Sequence, residues 1–180
     1  MRMTTPDEDL AEAAAAGDGQ AFASLLARHY DRLFAFCVRL TGARTEAEDL
    51  CQDICLALPS KLGSYQKRAK VTTWLYRVAV NAAHDRRRKR ATYAKATTGW
   101  GDWENARQAE IADTSEQLDW LTNAMRGLTD DLRDTLALVL DDMTHAQAAQ
   151  ILDISEGTVS WRISEAKKAL RHMKEKEDMV

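Results

Sequence analysis

Apolar residues recur at intervals of three and four positions along most of the chain, which is the spacing of one helix face. This pattern predicts helices over residues 6–16, 20–40, 46–58, 72–90, 118–128, 129–140, 145–152 and 155–170. Thr5, Thr45 and Thr144 are each followed three positions later by Glu or Gln, the sequence pattern of a helix capping box. No segment predicts a strand, so we expect an all-α fold.

The predicted helices form two groups. Residues 1–92 and 118–176 each predict a small helical domain, and the acidic, glycine-containing segment 93–117 predicts a linker. Domains of this size are marginally stable alone, so docking on a partner would stabilise both. We expect Pro59 to end the third helix at Leu58. The helix over 129–140 is expected to bury Leu132, Leu136, Val139 and Leu140.

Charge is distributed unevenly along the 180 residues. The net charge is −3, but residues 61–95 contain eleven Lys/Arg and one acid, Asp85, a formal charge of +10. An acidic protein with one basic segment is typical of a polyanion-binding protein, although a solvated helix face is the simpler alternative. No apolar run is long enough to span a membrane, and the N-terminus lacks the apolar core of a signal peptide, so we expect a cytoplasmic protein.

The basic segment also carries aromatic and amide groups that suit unpaired nucleic acid. Trp74, Tyr76 and Asn81 lie on one predicted helix with the cations 86–90. Aromatic rings stack on bases, cations contact phosphates, and an Asn side chain can hydrogen-bond a base edge. Trp74 as a core residue and Asn81 as a structural hydrogen-bonding residue are the alternatives.

The C-terminal segment has the pattern of a helix-turn-helix. A short helix rich in alanine, a turn at Asp153 and a second helix capped by Ser155 follow one another. Capping groups and free backbone N–H groups at that helix start can bind phosphate. We expect the outward face of this second helix to carry Ser160, Trp161, Arg162, Ser164 and Lys167. A plain helical hairpin is the alternative.

Several segments together resemble sigma factors of the sigma-70 family, and the short two-domain layout is similar to the extracytoplasmic-function (ECF) group. The matching segments are AEDLCQD at 47–53, TWLYRVAVN at 73–81, Leu132-Arg133, and Gly157-Thr158-Val159 with Arg162 and Ala166. The resemblance implies a transcription initiation factor that is not an enzyme. Its implied partners are core RNA polymerase, promoter DNA and an anti-sigma factor, with no cofactor.

The resemblance also implies three sets of site residues. The acidic stripe of the third helix would bind core polymerase through Glu46, Asp49, Gln52 and Asp53. The segment 61–90 would bind and open the −10 element, and the 64–72 loop together with Asn81 would capture a flipped base. The residues implied in −10 binding are Tyr65, Lys67, Arg68, Lys70, Thr72, Trp74, Arg77, Asn81, Arg86 and Arg88. The last helix would read the −35 element through Ser155, Thr158, Ser160, Trp161, Arg162 and Lys167.

Some positions depart from the family pattern. Ser160 and Glu165 stand where basic residues are common, and Trp161 stands where a small residue is typical. A sigma-like decoy that sequesters a regulator, and a stand-alone helix-turn-helix regulator, are therefore the alternative functions. Cys37, Cys51 and Cys55 suggest either core residues or a metal or redox site, and the absence of a C-x-x-C spacing favours the core.

Overall fold

The computed structural model describes residues 5–96 and 120–179, and within these ranges the regular secondary structure is all α-helix, joined by turns and loops. This confirms the expected all-α fold. None of the described helices is both long and apolar enough to cross a membrane. The helices are α1 (Asp7–Ala15), α2 (Gly19–Thr41), α3 (Arg44–Leu62), α4 (Val71–Ala96), α5 (Trp120–Arg126), α6 (Asp130–Leu140), α7 (His145–Leu152) and α8 (Glu156–Glu177).

Helix ends agree with the predictions only in part. Thr144 forms a complete capping box with Gln147, as predicted. The boxes predicted at Thr5 and Thr45 are wrong, because α1 begins after Pro6 and α3 begins at Arg44, neither with a side-chain cap. Helix α4 continues to Ala96 rather than ending at 90. The remainder of the predicted linker lies almost entirely outside the described residues.

Pro59 does not end α3, which is a correction to the predicted boundary. The helix continues to Leu62. Leu58 and Leu62 are both buried, Leu58 in the main core and Leu62 beside Leu10 and Val71 in a smaller cluster under α1. Leu62 lies beyond the proline, and its burial, worth about 1.5–3 kcal/mol, offsets much of the roughly 3 kcal/mol that an interior proline costs a helix.

The N-terminal unit, α1 to α4, is built around the fully buried ring of Phe36 on α2. Phe36 meets Tyr76 of α4 edge-to-face, with ring centroids 4.5 Å apart. Leu33, Leu40 and Leu50 surround this pair in the same core. Offset and edge-to-face aromatic pairs contribute beyond their buried area, so this contact fixes how α4 crosses α2.

The C-terminal unit, α5 to α8, is centred on α6. Six consecutive residues of α6, 133–138, are buried, so the helix is enclosed on nearly all sides. The predicted face was therefore only partly right, since Leu136 is buried but Leu140 is 38% exposed. Asp153 adopts the left-handed conformation (φ 56°) that turns α7 into α8, as expected for a helix-turn-helix.

The two units pack against each other in one continuous apolar core. Helix α2 lies against α6, and α4 lies against α7. Gly42, at the end of α2, has φ 71°, and a Cβ added there would lie 2.8 Å from the Cβ of Arg126. A side chain at this position would therefore push α5 away from α2. The sequence did not predict this docking of one unit on the other.

Candidate nucleic-acid interface

The predicted acidic stripe lies on the outside of α3. Asp49, Gln52 and Asp53 are exposed, and Glu46 is half-buried. Arg86 of α4 approaches Asp53 at 2.7 Å and Asp49 at 3.8 Å, and Arg90 approaches Glu46 at 2.9 Å. The stripe is thus bordered by arginines that partly neutralise it. Leu56, 75% exposed beside it, is an apolar contact that the polar pattern did not single out.

The loop before α4 is held by Tyr65 and Lys67. Tyr65 donates from its hydroxyl to the Ala69 carbonyl at 2.7 Å, and its ring centroid lies 5.6 Å from that of Trp74. Lys67, in the left-handed region with φ 57°, pairs with Glu12 of α1 at 2.6 Å. Trp74 is half-buried and supports this loop, which favours the core alternative for its ring. Arg68 and Lys70 are exposed, and Thr72 is half-buried.

An exposed face of α4 follows directly from this loop. Arg77, Asn81, Asp85 and Arg88 lie on it, as the helical spacing predicts. Arg77 donates to the carbonyl oxygen of Gln150 in the C-terminal unit, and Arg88 pairs with Asp85. Asn81 and Arg88 line an open cleft of about 650 Å³, and on its other side lie the carboxylates of Asp130 and Asp131.

Arg87 of the basic run points into the interface between the units. Its guanidinium contacts both oxygens of Asp134, at 2.7 and 2.8 Å, and donates to the Leu40 carbonyl at 2.9 Å. His84 reaches the same carboxylate at 2.8 Å. Burial of Asp134 opposes its ionisation, but the hydrogen bonds from His84 and Arg87 outweigh it and lower the pKa of the carboxyl below its ordinary value. Part of the +10 segment therefore connects the units.

A second ionic contact between the units is centred on Asp141, at the end of α6. Arg32 approaches this carboxylate at 3.1 Å and Arg39 at 2.9 Å, and the Tyr76 hydroxyl donates to it. Asp141 is 7% exposed. Buried charges persist only when they are paired and hydrogen-bonded, so this cluster specifies one docking position for α6.

The second helix of the helix-turn-helix, α8, begins as predicted. The Ser155 hydroxyl accepts from the Thr158 amide at 3.1 Å, and Thr158 is half-buried. Ser160, Trp161 and Lys167 are exposed, Trp161 at 60%.

Polar contacts tie several side chains of α8 to their surroundings. Arg162 turns inward, with its side chain 15% exposed and paired with Asp131 at 3.1 Å. Glu165 pairs with Lys168 at 2.8 Å, and Nδ1 of His145 lies 3.1 Å from the Ser160 hydroxyl. The exposed start of α8 therefore presents hydroxyl groups, the Trp161 ring and the Glu156 carboxylate rather than cations.

The three cysteines lie in the core of the N-terminal unit. Hydrogen bonding with Cys37, together with burial, raises the pKa of Cys51 to about 11 even though Cys55 opposes the shift. Contact with Cys51 and burial also raise the pKa of Cys55. In the described part of the chain, no cluster of three His, Cys, Asp or Glu side chains has a metal-binding arrangement. These protonated thiols fit the core interpretation.

Sequence reasoning missed the residues that join the two units. They include His84, Arg87, Arg126, Asp134 and Asp141, together with Arg32 and Arg39, which pair with Asp141. The one available signal was the presence of Asp134 and Asp141 next to the apolar positions of α6, where an acid is unexpected unless it has a partner.

Each of the two units matches a known protein family model. Residues 25–93 match Sigma-70 region 2, and residues 118–170 match Sigma-70, region 4. The chain is 32% identical over 172 residues to the ECF RNA polymerase sigma factor SigM of Mycobacterium tuberculosis, covering 93% of this chain and 84% of that protein. It is 29% identical over 167 residues to the ECF sigma factor SigW of Bacillus subtilis, covering 86% and 89% respectively.

Solved structures show the same fold. CnrH, in complex with the cytosolic domain of CnrY, superposes with a TM-score of 0.61 at 24% identity, covering 94% of this chain and 97% of that one. The sigma factor RpoE of Bartonella quintana, in complex with the anti-sigma factor NepR, superposes with a TM-score of 0.64 at 22% identity, covering 86% and 96%. The chain belongs to the sigma-70 family, in its ECF group of non-enzymatic factors that direct RNA polymerase to promoters.

Proposed function

We propose that the exposed face of α4 and the preceding loop bind and open the −10 element. The observation that carries this proposal is the exposure of Asn81 between Arg77 and Arg88, on a face continuous with the 63–70 loop. Opening a duplex without ATP needs a pocket whose hydrogen bonds and stacking compensate for the few kcal/mol of unpairing per base. We assign base capture to Asn81 and the loop around Tyr65, and phosphate contacts to Lys67, Arg68, Lys70, Arg77 and Arg88.

The α3 stripe is proposed as the contact to core polymerase. Asp49, Gln52 and Asp53 are exposed, and Leu56 adds apolar area among them. A face of this composition suits a basic partner with an apolar centre. Arg86, predicted as a −10 contact, pairs with Asp53, so we expect it to shape this stripe as well.

Residues 1–92 and 118–176 are proposed as the two functional domains, with 93–117 as the connecting linker. In the second, α8 enters the major groove of the −35 element. Ser155 and Thr158 are assigned to phosphate, and Ser160, Trp161, Arg162 and Lys167 to the groove. For Arg162 to contact bases in the groove, its ion pair with Asp131 must first break.

An anti-sigma factor is the proposed regulatory partner. The two solved structures of similar fold are both complexes, one of them with a protein named as an anti-sigma factor. Because RNA polymerase works in the bacterial cytoplasm, we also propose that this protein acts there.

Run-off transcription with core RNA polymerase and a promoter library tests the function. Asp49→Lys/Asp53→Lys should abolish start-site-specific transcripts and polymerase binding. The matched control Glu175→Lys/Asp178→Lys makes the same charge change on exposed positions of α8 and its end, and should leave polymerase binding intact. Polymerase binding without transcripts from any promoter would favour the decoy, and duplex binding without polymerase binding would favour the stand-alone regulator.

A further inference from the structure

Helix α1 packs against both ends of the loop that precedes α4. Leu10 of α1 is buried in one apolar cluster with Leu62, the last residue of α3, and with Val71, the first residue of α4. The 63–70 loop joins these two residues, so its ends are held by the same side of α1. The position of α1 therefore determines where the loop begins and where it ends.

The middle of the loop is also tied to α1. Nζ of Lys67 donates to the Glu12 carboxylate at 2.6 Å, and this hydrogen bond lowers the pKa of Glu12 below its ordinary value. Lys67 has φ 57°, a left-handed conformation that a residue with a side chain keeps only where its surroundings maintain it. Both side chains are exposed. Such a pair adds little to the stability of the whole fold, but it selects among loop conformations that are close in energy.

Helix α1 is itself fixed on α2. Asp7 pairs with Arg28 at 2.8 Å and with His29 at 2.7 Å, and Arg28 also donates to the Thr5 carbonyl at 2.6 Å. These contacts make α1 a firm support for the loop. The helix precedes the segment that matches Sigma-70 region 2, which begins at residue 25. The family match therefore assigns no role to α1.

We propose that α1 positions the 63–70 loop for base capture, and that Glu12 is a positioning residue that acts through Lys67. The inference rests on the proposed function, which assigns base capture to the loop around Tyr65. An ammonium group has three donors, so Lys67 can pair with Glu12 and still contact a phosphate. A loop that is held in one conformation before binding loses less conformational entropy when the base enters. It also keeps its hydrogen-bonding groups in the geometry that suits one base better than the others.

Binding of holoenzyme to single-stranded −10 oligonucleotides tests this role, with each of the four bases in turn at the captured position. Glu12→Gln should lower the ratio of affinities for the preferred base and the other bases about threefold, the scale of an exposed ion pair. Loss of an acid near DNA by itself strengthens binding of all bases equally, so the ratio separates positioning from charge. The matched control Asp9→Asn removes the same charge from an exposed position of α1 and should keep the parent's ratio.

Two further measurements check that Glu12 acts through Lys67 and on the loop. Lys67→Gln should lose the same discrimination, together with affinity for every sequence. In Glu12→Gln/Lys67→Gln the ratio should fall no further than in Lys67→Gln alone, because the two residues act as one pair. In the full chain without DNA, the amides of the 63–70 loop should exchange hydrogen faster in Glu12→Gln than in the parent or in Asp9→Asn.

Four results would each overturn the positioning role: the parent's full ratio in Glu12→Gln, an equal loss in Asp9→Asn, a further loss in the double variant, or unchanged exchange of the loop amides. Asn81→Ala, measured alongside, reports on the proposed function separately. If Asn81→Ala loses discrimination and Glu12→Gln does not, only the role of α1 is rejected. If Asn81→Ala also keeps the parent's ratio, base capture does not occur at this surface, and the role of α1 is rejected with it.

Discussion

Helices α4 and α8 use their charged side chains differently. In the run 86–90 of α4, four arginines pair with carboxylates inside the fold, two of them along the acidic stripe and one across the interface between the units. The start of α8 presents Trp161 and Ser160 to solvent, while its Arg162 pairs with Asp131. Counting charged residues along the sequence therefore overstates the charge that a ligand can meet, because ion pairs in the folded protein neutralise part of it.

The ion pairs of α4 also differ among themselves in how much they contribute to stability. Exposed pairs such as Arg88–Asp85 contribute about 0–1 kcal/mol each. The Arg87–Asp134 pair is different, because Asp134 is 1% exposed. Its removal leaves His84 without this acceptor and leaves Arg87 with the Leu40 carbonyl and a 3.6 Å approach to Asp130. We therefore expect substitutions of buried ionic partners to have larger effects than substitutions of exposed ones.

Asp134→Ala should produce the largest loss of stability, about 3 kcal/mol. Breaking a buried pair costs about 3–5 kcal/mol, and the lower end applies because Arg87 and His84 keep partial access to water. The matched variant Asp131→Ala removes a 70%-exposed carboxylate from the same helix and should cost under about 1 kcal/mol. Urea unfolding of both variants measures the difference, and equal losses would contradict an interface role for Asp134.

Asn81→Ala should change base preference in the −10 element, with a loss of about 2 kcal/mol for the preferred base. A well-placed amide contact discriminates between bases by about 1–3 kcal/mol. Lys89→Ala, on the same helix, should instead weaken binding of all sequences uniformly. Holoenzyme binding to single-stranded −10 libraries separates the two patterns. If Asn81→Ala weakened binding of all sequences equally, Asn81 would not be the residue that captures the base.

Trp161→Ala should lower affinity for a −35 duplex by about 1.5 kcal/mol, through loss of apolar contact with thymine methyl groups. Replacing thymine by uracil in the −35 element should therefore lower the affinity of the parent protein for the duplex and leave the affinity of Trp161→Ala unchanged. Met179→Ala, which removes another exposed apolar side chain, is the control. The measurement is holoenzyme binding to the two duplexes. Full sensitivity to uracil in Trp161→Ala would exclude methyl contact by this ring.

Ser155→Ala should destabilise the start of α8 by about 1 kcal/mol, the typical loss of a capping hydrogen bond. Thr129→Ala at the start of α6 should cost less, since Thr129 forms no side-chain capping bond. Thermal unfolding compares the two variants. Equal losses would show that the cap geometry at Ser155 does not contribute to stability.

Some predictions from local sequence patterns were correct and others were wrong, and each outcome has a physical reason. Caps at Thr144 and Ser155 were predicted correctly. The same short pattern failed at Thr5 and Thr45, because α1 begins after Pro6 and α3 after Ala43. The predicted stop at Pro59 was wrong because the helix continues far enough to bury Leu62, and that burial offsets much of the cost of the proline. The predicted apolar face of α6 was partly wrong because that helix is enclosed by both units, which spacing within one helix does not encode.

Local sequence patterns were enough to predict the helical character, the helix-turn-helix, the exposed face of Arg77, Asn81 and Arg88, and the resemblance to the sigma-70 family. These follow from spacing within single helices and from motifs in fixed order. Tertiary structure alone decided that Arg87 meets Asp134, 47 residues away, and that five arginines from two units share one cavity. Pairing over such separations depends on how α6 docks against α2 and α4, and docking is a property of shape and burial that no local pattern contains.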